Sequence, residues 1–335
     1  MTPTERQEFV VALYEHLQHR TPNSKELSHW AGFLANGLSE KDVFHRFISS
    51  KEYKNKNRVE PGHPAGHYYS PVVDPSTVGD YVSRSREESS RSIAGLGIDI
   101  AEMSRLWEKN IDVIRKTRFA AHKVATNRYY FRNGMFSYGD ATILRMLIGD
   151  LRPRRIIEIG SGFSSACILD SLQEFGLPGT VLCCIEPYPA RLHRLIGDDD
   201  ASAIEILPSQ VQDVPLDVFK RLDENDILFI DSTHVLKTGS DVHYELFHIL
   251  PSIRPGVFVH FHDIHYPFEY PDGWIFEKRY SWNEAYAIRA FLMYNNAFEV
   301  VFFNSMFAAL CKDRISADLP MFLRNPGGSL WLKKV

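Results

Sequence analysis

The chain lacks the features that mark secreted, membrane-spanning or polyanion-binding proteins. Its 335 residues include four cysteines, Cys167, Cys183, Cys184 and Cys311, and none forms a Cys-x-x-Cys pair. Four are too few for a disulfide scaffold, so they read as reduced, mostly buried thiols of a cytoplasmic protein. No run of about 18 apolar residues occurs, which excludes a membrane-spanning helix. The opening MTPTERQEFVVALYEHL carries acids where a secretory signal needs a basic segment, and no long apolar stretch follows. Basic charge is not in excess either. The 38 Lys and Arg against 42 Asp and Glu leave a net charge of −4, which provides no field for nucleic acid or an anionic membrane.

What is present is an ordinary globular composition, 44% hydrophobic and 24% charged. Aromatics reach 13%, which favours a dense core or an aromatic-lined pocket over disorder. The length suggests about two domains. Residues 1–57 read as a helical accessory module, 58–120 as a linker with a lid or helix region, 121–315 as the catalytic-looking domain and 316–335 as a C-terminal tail.

In the module, Phe9, Val10, Leu13, Tyr14 and Leu17 recur at helical spacing. Asn23 or Ser24 can cap a second apolar stripe of Leu27, Trp30, Ala31, Phe33 and Leu34, and Asn36-Gly37 ends it. Ser39 with Asp42 resembles a capping box before Val43, Phe44, Phe47 and Ile48. On the residues alone this is a small three-helix bundle with no polar convergence. The pattern Tyr14, Leu17, Arg20, Pro22, Trp30, Gly37, Ser39, Phe47, Ser50 and Glu52-Tyr53 resembles a small helical domain of unknown function found in bacterial cell-surface and glycan-related proteins. The resemblance implies an accessory role, with a protein partner engaged through residues 1–57, and no catalysis.

Prolines and glycines punctuate residues 54–90, from Pro61 to Pro75. Gly66-His67-Tyr68-Tyr69-Ser70-Pro71 is either linker or a loop laid over a pocket. Residues 84–95 read as polar and solvated, and residues 98–121 as one long helix. From residue 140, short apolar runs alternate with helical stretches. The spacing predicts strands at 155–159, 181–185, 203–207, 226–230 and 257–261, then a closing pair at 298–303 and 306–310. Fully apolar strands alternating with helices mean a doubly wound α/β sheet covered on both faces, Rossmann-like, with seven strands. The last strand follows too closely for a parallel crossover, so it should run antiparallel.

The first strand runs into Glu158-Ile159-Gly160-Ser161-Gly162-Phe163-Ser164-Ser165, a glycine turn at the carboxyl edge of the sheet where helix N–H groups are free for a ligand. A phosphate-binding P-loop needs a lysine that is absent here. A dinucleotide fingerprint needs a third glycine where Ser165 stands. What remains, Glu-x-Gly-x-Gly, resembles the first motif of the class I S-adenosylmethionine-dependent methyltransferases, with Ser164 at their usual third glycine. That resemblance implies Glu158 at the methionine end, Gly160, Ser161, Gly162 and Ser164 beneath the cofactor, Glu186 on the two ribose hydroxyls, and Gln210 at the adenine edge. A carboxylate suits two vicinal hydroxyl donors and would repel a 2′-phosphate.

Two further strand ends carry Asp231-Ser232-Thr233-His234 and His260-Phe261-His262-Asp263, facing one crevice. Alternation puts His260 and His262 on one face. Together with Asp241 and Pro255-Gly256, these residues resemble a bacterial subfamily related to catechol-type and antibiotic-sugar O-methyltransferases. In its metal-dependent relatives the positions of Asp231, His262 and Asp263 hold a divalent cation, and Asp231 also borders the cofactor. An imidazole there suits softer metals than magnesium. The simpler reading needs no metal: His262 or His234 takes a proton from a substrate hydroxyl, and Asp263 stabilises the imidazolium. Purely structural histidines are the third reading.

Aromatic residues 266–274 and residues 126–139, with Arg128, Tyr129 and Asn133, either wall the acceptor pocket or pack the accessory helices. Trp282, Asn283 and Glu284 begin a helix beside the pocket. His243, His248, Asp170 and the run Asp198-Asp199-Asp200 read as solvated or helical surface. The expected activity is methyl transfer from S-adenosylmethionine to a hydroxyl of a small molecule or a sugar or glycan precursor. Two other classes fit the scaffold less well: a nicotinamide oxidoreductase or metal-dependent hydroxylase-like enzyme, and a non-catalytic scaffold with a vestigial pocket.

Overall fold

The computed structural model describes residues 1–18, 20–56, 62–197, 200 and 204–335. Pro61, Asp198, Asp199 and Ala203 therefore lie outside the described residues. The chain divides into two compact units, 1–72 and 73–335.

The first unit contains α1 (Pro3–Gln18), α2 (Ser24–Ala35), α3 (Glu40–Ser49) and a short α4 (Lys51–Lys56), one helix more than the apolar spacing suggested. Asn23 caps α2 through a capping box with Glu26, and the Ser39 side chain accepts from the backbone N–H of Asp42. Val10, Leu13, Tyr14, Trp30, Leu34, Val43 and Phe47 form its core. The Trp30 indole donates to the Tyr14 hydroxyl at 3.1 Å. Arg20 pairs with Glu26 and Glu52 at 2.6 Å each, tying the start of α2 to α4. Tyr68 and Tyr69 stand exposed.

The second unit opens with α5 (Pro75–Arg91), capped by Asp74. A helix thus occupies most of a stretch whose polarity hides its periodicity. Asn110 splits the expected long helix into α6 (Ile100–Lys109) and α7 (Ile111–Arg115). Then come α8 (Tyr138–Leu151), β1 (Arg155–Ile159), α9 (Phe163–Glu174), β2 (Val181–Ile185), α10 (Ala190–Leu195), β3 (Ile204–Leu207), α11 (Leu216–Phe219) and β4 (Ile227–Ile230). The next helix runs from α12 (Asp241–Tyr244) through one wide turn, Glu245–Ile249, into α13 (Leu250–Ser252). The widening sits just ahead of Pro251, which lacks the N–H and the room for a regular turn. β5 (Phe258–Phe261), α14 (Glu284–Leu292), β6 (Phe298–Phe303), α15 (Asn304–Leu310), α16 (Lys312–Asp318) and β7 (Leu330–Lys334) complete the unit.

The sheet order is β3-β2-β1-β4-β5-β7-β6, with β7 antiparallel to both neighbours. Doubly wound topology and an antiparallel last strand stand as expected, but the identity of that strand does not. Residues 306–310 are helical, with Phe307 and Ala308 buried and Leu310 exposed, a pattern of period 3.6 rather than 2. The expected tail instead supplies β7, inserted between β5 and β6. Leu330, Trp331 and Leu332 are wholly buried, and the Lys334 ammonium caps the carbonyls of Leu250, Pro251 and Ile253. Three apolar residues followed by two lysines make a weak strand signal, because burial on both faces covers only Leu330–Leu332.

Trp331→Ala should cost about 3–5 kcal/mol of unfolding free energy in denaturant titration, whereas Leu310→Ala should stay within about 0.5 kcal/mol. The reverse ranking would restore 306–310 as the closing strand.

Candidate functional site

β1 and β4 are neighbours whose outer partners lie on opposite sides, so the crevice at their carboxyl ends is the topological switch point of the sheet. The glycine turn crosses it. Gly160 has φ +78°, and a Cβ there would fall 1.8 Å from the carbonyl oxygen of Asp231, so β1 and β4 close together only over glycine. The N–H of Asp231 donates to Ile159 O at 2.9 Å and that of Gly160 to Ile185 O at 3.0 Å, fixing three strand ends relative to one another.

Glu186, just beyond β2, lines the crevice with both carboxylate oxygens oriented. One accepts the N–H of Ser161 at 3.1 Å, the other that of Tyr188 at 2.8 Å. Each oxygen retains capacity for a further donor. Glu158 is placed differently from expectation: it is fully buried and does not line the crevice. It accepts from Ser165 Oγ and from Cys184 Sγ at 3.4 Å, while Ser165 Oγ also accepts the N–H of Gly162 at 2.9 Å. Burial pushes its carboxyl up to about 7. Glu158 therefore supports the turn from below. Ser161 and Ser164 line the crevice, and the buried Ser161 hydroxyl has no partner among the described residues.

Two adjoining cavities occupy the crevice, about 470 and 510 Å³. They share Gly160, Glu186, Asp231, Ser232 and Thr233. The larger reaches Gln210, Val211 and Tyr188; the smaller reaches His234, His262, Asp263 and the rings of Trp274, Tyr280 and Trp282. The stretch 126–139 divides: Met135 and Phe136 line the smaller cavity, while the named polar side chains turn inward. Arg128 pairs with Asp170 at 2.8 Å and Asp200 at 2.6 Å, the Tyr129 hydroxyl donates to Phe136 O, and Asn133 bonds the backbone of its own turn. Those three are structural, as are Asp170 and Asp200.

The acids and imidazoles expected at the ends of β4 and β5 do converge. His262 Nδ1 lies 3.4 Å from Asp231 Oδ1 and 3.3 Å from Asp263 Oδ1. His234 Nε2 lies 3.5 Å from both Asp231 and Asp263. His234 and Asp263 hold φ of +62° and +58°, left-handed conformations that non-glycine residues adopt under local constraint and that cluster at functional sites. The constraint is visible: His234 O accepts the N–H groups of Asn283 and Glu284, and Ile264 N–H donates to Gly328 O at 2.8 Å. Thr233 is bound through its N–H and hydroxyl to Asp241, which keeps the segment after β4 in place.

Two acids behind the imidazoles went unassigned in the sequence. Glu284 Oε2 lies 2.8 Å from His234 Nδ1, and Asp140 Oδ2 lies 3.7 Å from His262 Nε2. Asp140 is itself held by the hydroxyl and N–H of Ser329. Neither has a local motif, since Asp140 sits on α8 and Ser329 in the segment before β7. His260 does not reach the cavity. It is fully buried, stacks on Phe229 at 3.8 Å and contacts Ser329 Oγ at 2.8 Å, and burial pushes its imidazole well down, so it is neutral core.

The charges support one another. Burial opposes the Asp231 carboxylate, yet the His262 imidazolium and His234 hold its carboxyl at about 2. Burial likewise opposes a charged His234, but the Glu284 carboxylate, then Asp231 and Asp263, raise it to about 9. His262 is held well above its ordinary value, against burial, by Asp231, Asp263 and Asp140. Both rings are thereby held toward the imidazolium form. In stability terms His234 contributes fully below about pH 6.5, and that contribution fades as pH rises through about 9. Glu284→Gln should lower the His234 titration midpoint by more than about one pH unit, read from its ring proton signals by NMR. An unmoved midpoint would remove Glu284 from its support.

Residues 157–264 match a family described as Methyltransferase domain, and residues 2–57 match a Domain of unknown function (DUF4214). An uncharacterized protein of Archaeoglobus fulgidus is 34% identical over 173 residues, covering 49% of this chain and 75% of its own length. Among solved structures, a putative O-methyltransferase from Klebsiella pneumoniae is 15% identical, with 77% of this chain and 96% of that one covered and a TM-score of 0.38. The O-methyltransferase TomG from Streptomyces achromogenes, solved with SAM, is 16% identical, with 76% and 98% covered and a TM-score of 0.39. The glycine turn and the strand-end carboxylate both lie within residues 157–264, and that part of the chain belongs to the family described as Methyltransferase domain.

Proposed function

We propose that this methyltransferase moves the methyl group of S-adenosylmethionine onto a hydroxyl oxygen of a sugar or other small-molecule acceptor. The observation that carries the reading is the pair of cavities joined at Gly160 and Glu186, one bordered by Gln210 and the other by the imidazole and carboxylate cluster. Gln210 takes the adenine edge, Glu186 the ribose hydroxyls, and the turn Gly160–Gly162 carries the sulfonium toward the smaller cavity. The acceptor hydroxyl lies against His234 and His262. Its proton passes to a ring nitrogen as its oxygen attacks the methyl carbon, the carbon–sulfur bond breaks, and S-adenosylhomocysteine leaves. Asp263 and Asp231 stabilise the imidazolium formed, and Glu284 orients His234. The aromatic wall of Trp274, Tyr280 and Trp282 supports a sugar or ring-bearing acceptor.

A metal-assisted variant has its own support. Among the described residues, Asp231, His262 and Asp263 place donor atoms within 4.8 Å of one another. These three side chains would hold such an ion, His262 Nδ1 lying 3.4 Å from Asp231 Oδ1 and 3.3 Å from Asp263 Oδ1. His262 makes no hydrogen bond with either ring nitrogen, and the Asp140 carboxylate lies on its far side, 3.7 Å from Nε2. These residues fit manganese, iron, cobalt or zinc better than magnesium. Such an ion supplies a Lewis acid that lowers the pKa of an acceptor hydroxyl.

Glu186→Ala should weaken S-adenosylhomocysteine binding by about 1–3 kcal/mol in calorimetry, because two hydroxyl donors lose their acceptor. His262→Ala should keep that affinity and abolish turnover, and surviving turnover removes His262 from the chemistry. With a neutral imidazole as the base, wild-type turnover should rise with pH toward about 9. Chelator treatment separates the variants: turnover that persists favours the base alone, and turnover lost and then restored by manganese favours the ion.

A further inference from the structure

The smaller cavity holds two cations that the transfer chemistry does not use, Arg191 and Lys278. Neither has a carboxylate partner among the described residues. Of the cavity's own acids, Asp231 and Asp263 face the imidazoles. Arg191 belongs to the cofactor's end, since a Cβ on Gly162 would come 3.2 Å from its Cδ.

Lys278 belongs to the aromatic wall. Its Nζ lies 5.6 Å from the ring centres of both Trp274 and Tyr280. At an exposed site such contacts are weak, so the ammonium remains open to an anionic partner. Tyr280 stacks on Trp282 at 4.4 Å, while Trp274 meets Trp282 at 75°. The rings therefore form a corner rather than a parallel-sided slot, a shape that suits a puckered ring with C–H faces better than a flat one.

We propose that the methyl acceptor is an anionic sugar, its carboxylate or phosphate held by Lys278 at the aromatic corner of the smaller cavity. This rests on the O-methyl-transfer reading above. The anion fixes which hydroxyl of the ring turns toward His234 and His262.

The test uses the full chain saturated with S-adenosylhomocysteine and calorimetry with three probes: methyl β-D-glucuronide, D-glucose 1-phosphate and neutral methyl β-D-glucoside. One of the two anions should bind at least about tenfold more tightly than the glucoside, and the two arms distinguish carboxylate from phosphate. Lys278→Gln should erase that preference. The proposal falls if neither anion binds, if the glucoside binds as well, or if Lys278→Gln keeps the preference. Failure of S-adenosylhomocysteine itself to bind is a separate outcome that overturns the transfer reading.

Discussion

The site depends on packing carboxylates and imidazoles together where neither class would stay charged alone. Burial pushes Asp231 toward its neutral acid and His234 and His262 toward neutral rings, and each is held charged by the other. The arrangement is stable only if the groups cannot separate. Every contact around it, from Glu284 behind His234 to Ser329 behind Asp140, limits that separation. The left-handed backbone at His234 and Asp263 is held by the same scaffolding. Preorganised charge of this kind needs no rearrangement when an acceptor proton moves or a cation binds.

The closure of the sheet links this cluster to the cofactor turn. The 1.8 Å approach of a hypothetical Gly160 Cβ to Asp231 O means that the turn and the acid are one unit. The segment before β7 is as closely fitted: a Cβ on Gly327 would strike the Asp140 carboxylate and one on Gly328 would lie 2.8 Å from the Asp263 Cα. The C-terminal strand is therefore part of the site's wall as well as of the sheet. The stretch between β5 and α14 adds Trp274, Lys278, Tyr280 and Trp282 to the wall of the smaller cavity. The charged cluster sits on strand ends and the aromatic wall on the connecting segment, the usual placing of sites in doubly wound sheets.

Much of this was legible in the residues. The chain alone places the glycine turn, Glu186, Asp231, His234, His262 and Asp263 at one crevice, because the strand ends of an α/β sheet face it. The last strand was misplaced because Met306–Leu310 is as apolar as a strand, and only its helical burial shows what it is. Whether Arg128 and Asn133 bind an acceptor or serve packing stayed open in the chain, since nothing local reveals that Asp170 and Asp200 await the guanidinium or that the turn closes on its own amide.

The sequence by itself determined the α/β alternation, the cofactor turn and the chemical types at the strand ends, because these follow from local periodicity and from topology rules that hold for any right-handed crossover. Tertiary structure alone decided that Glu158 lies beneath the turn, that Glu284 and Asp140 stand behind the imidazoles, and that the final strand comes from residues 330–334. Those partners are between 50 and 189 residues apart in the cases of His234 with Glu284 and Ser329 with Asp140. Pairings of that range are set by which surfaces pack together, and the charge state of a buried group depends on them rather than on its neighbours in the chain.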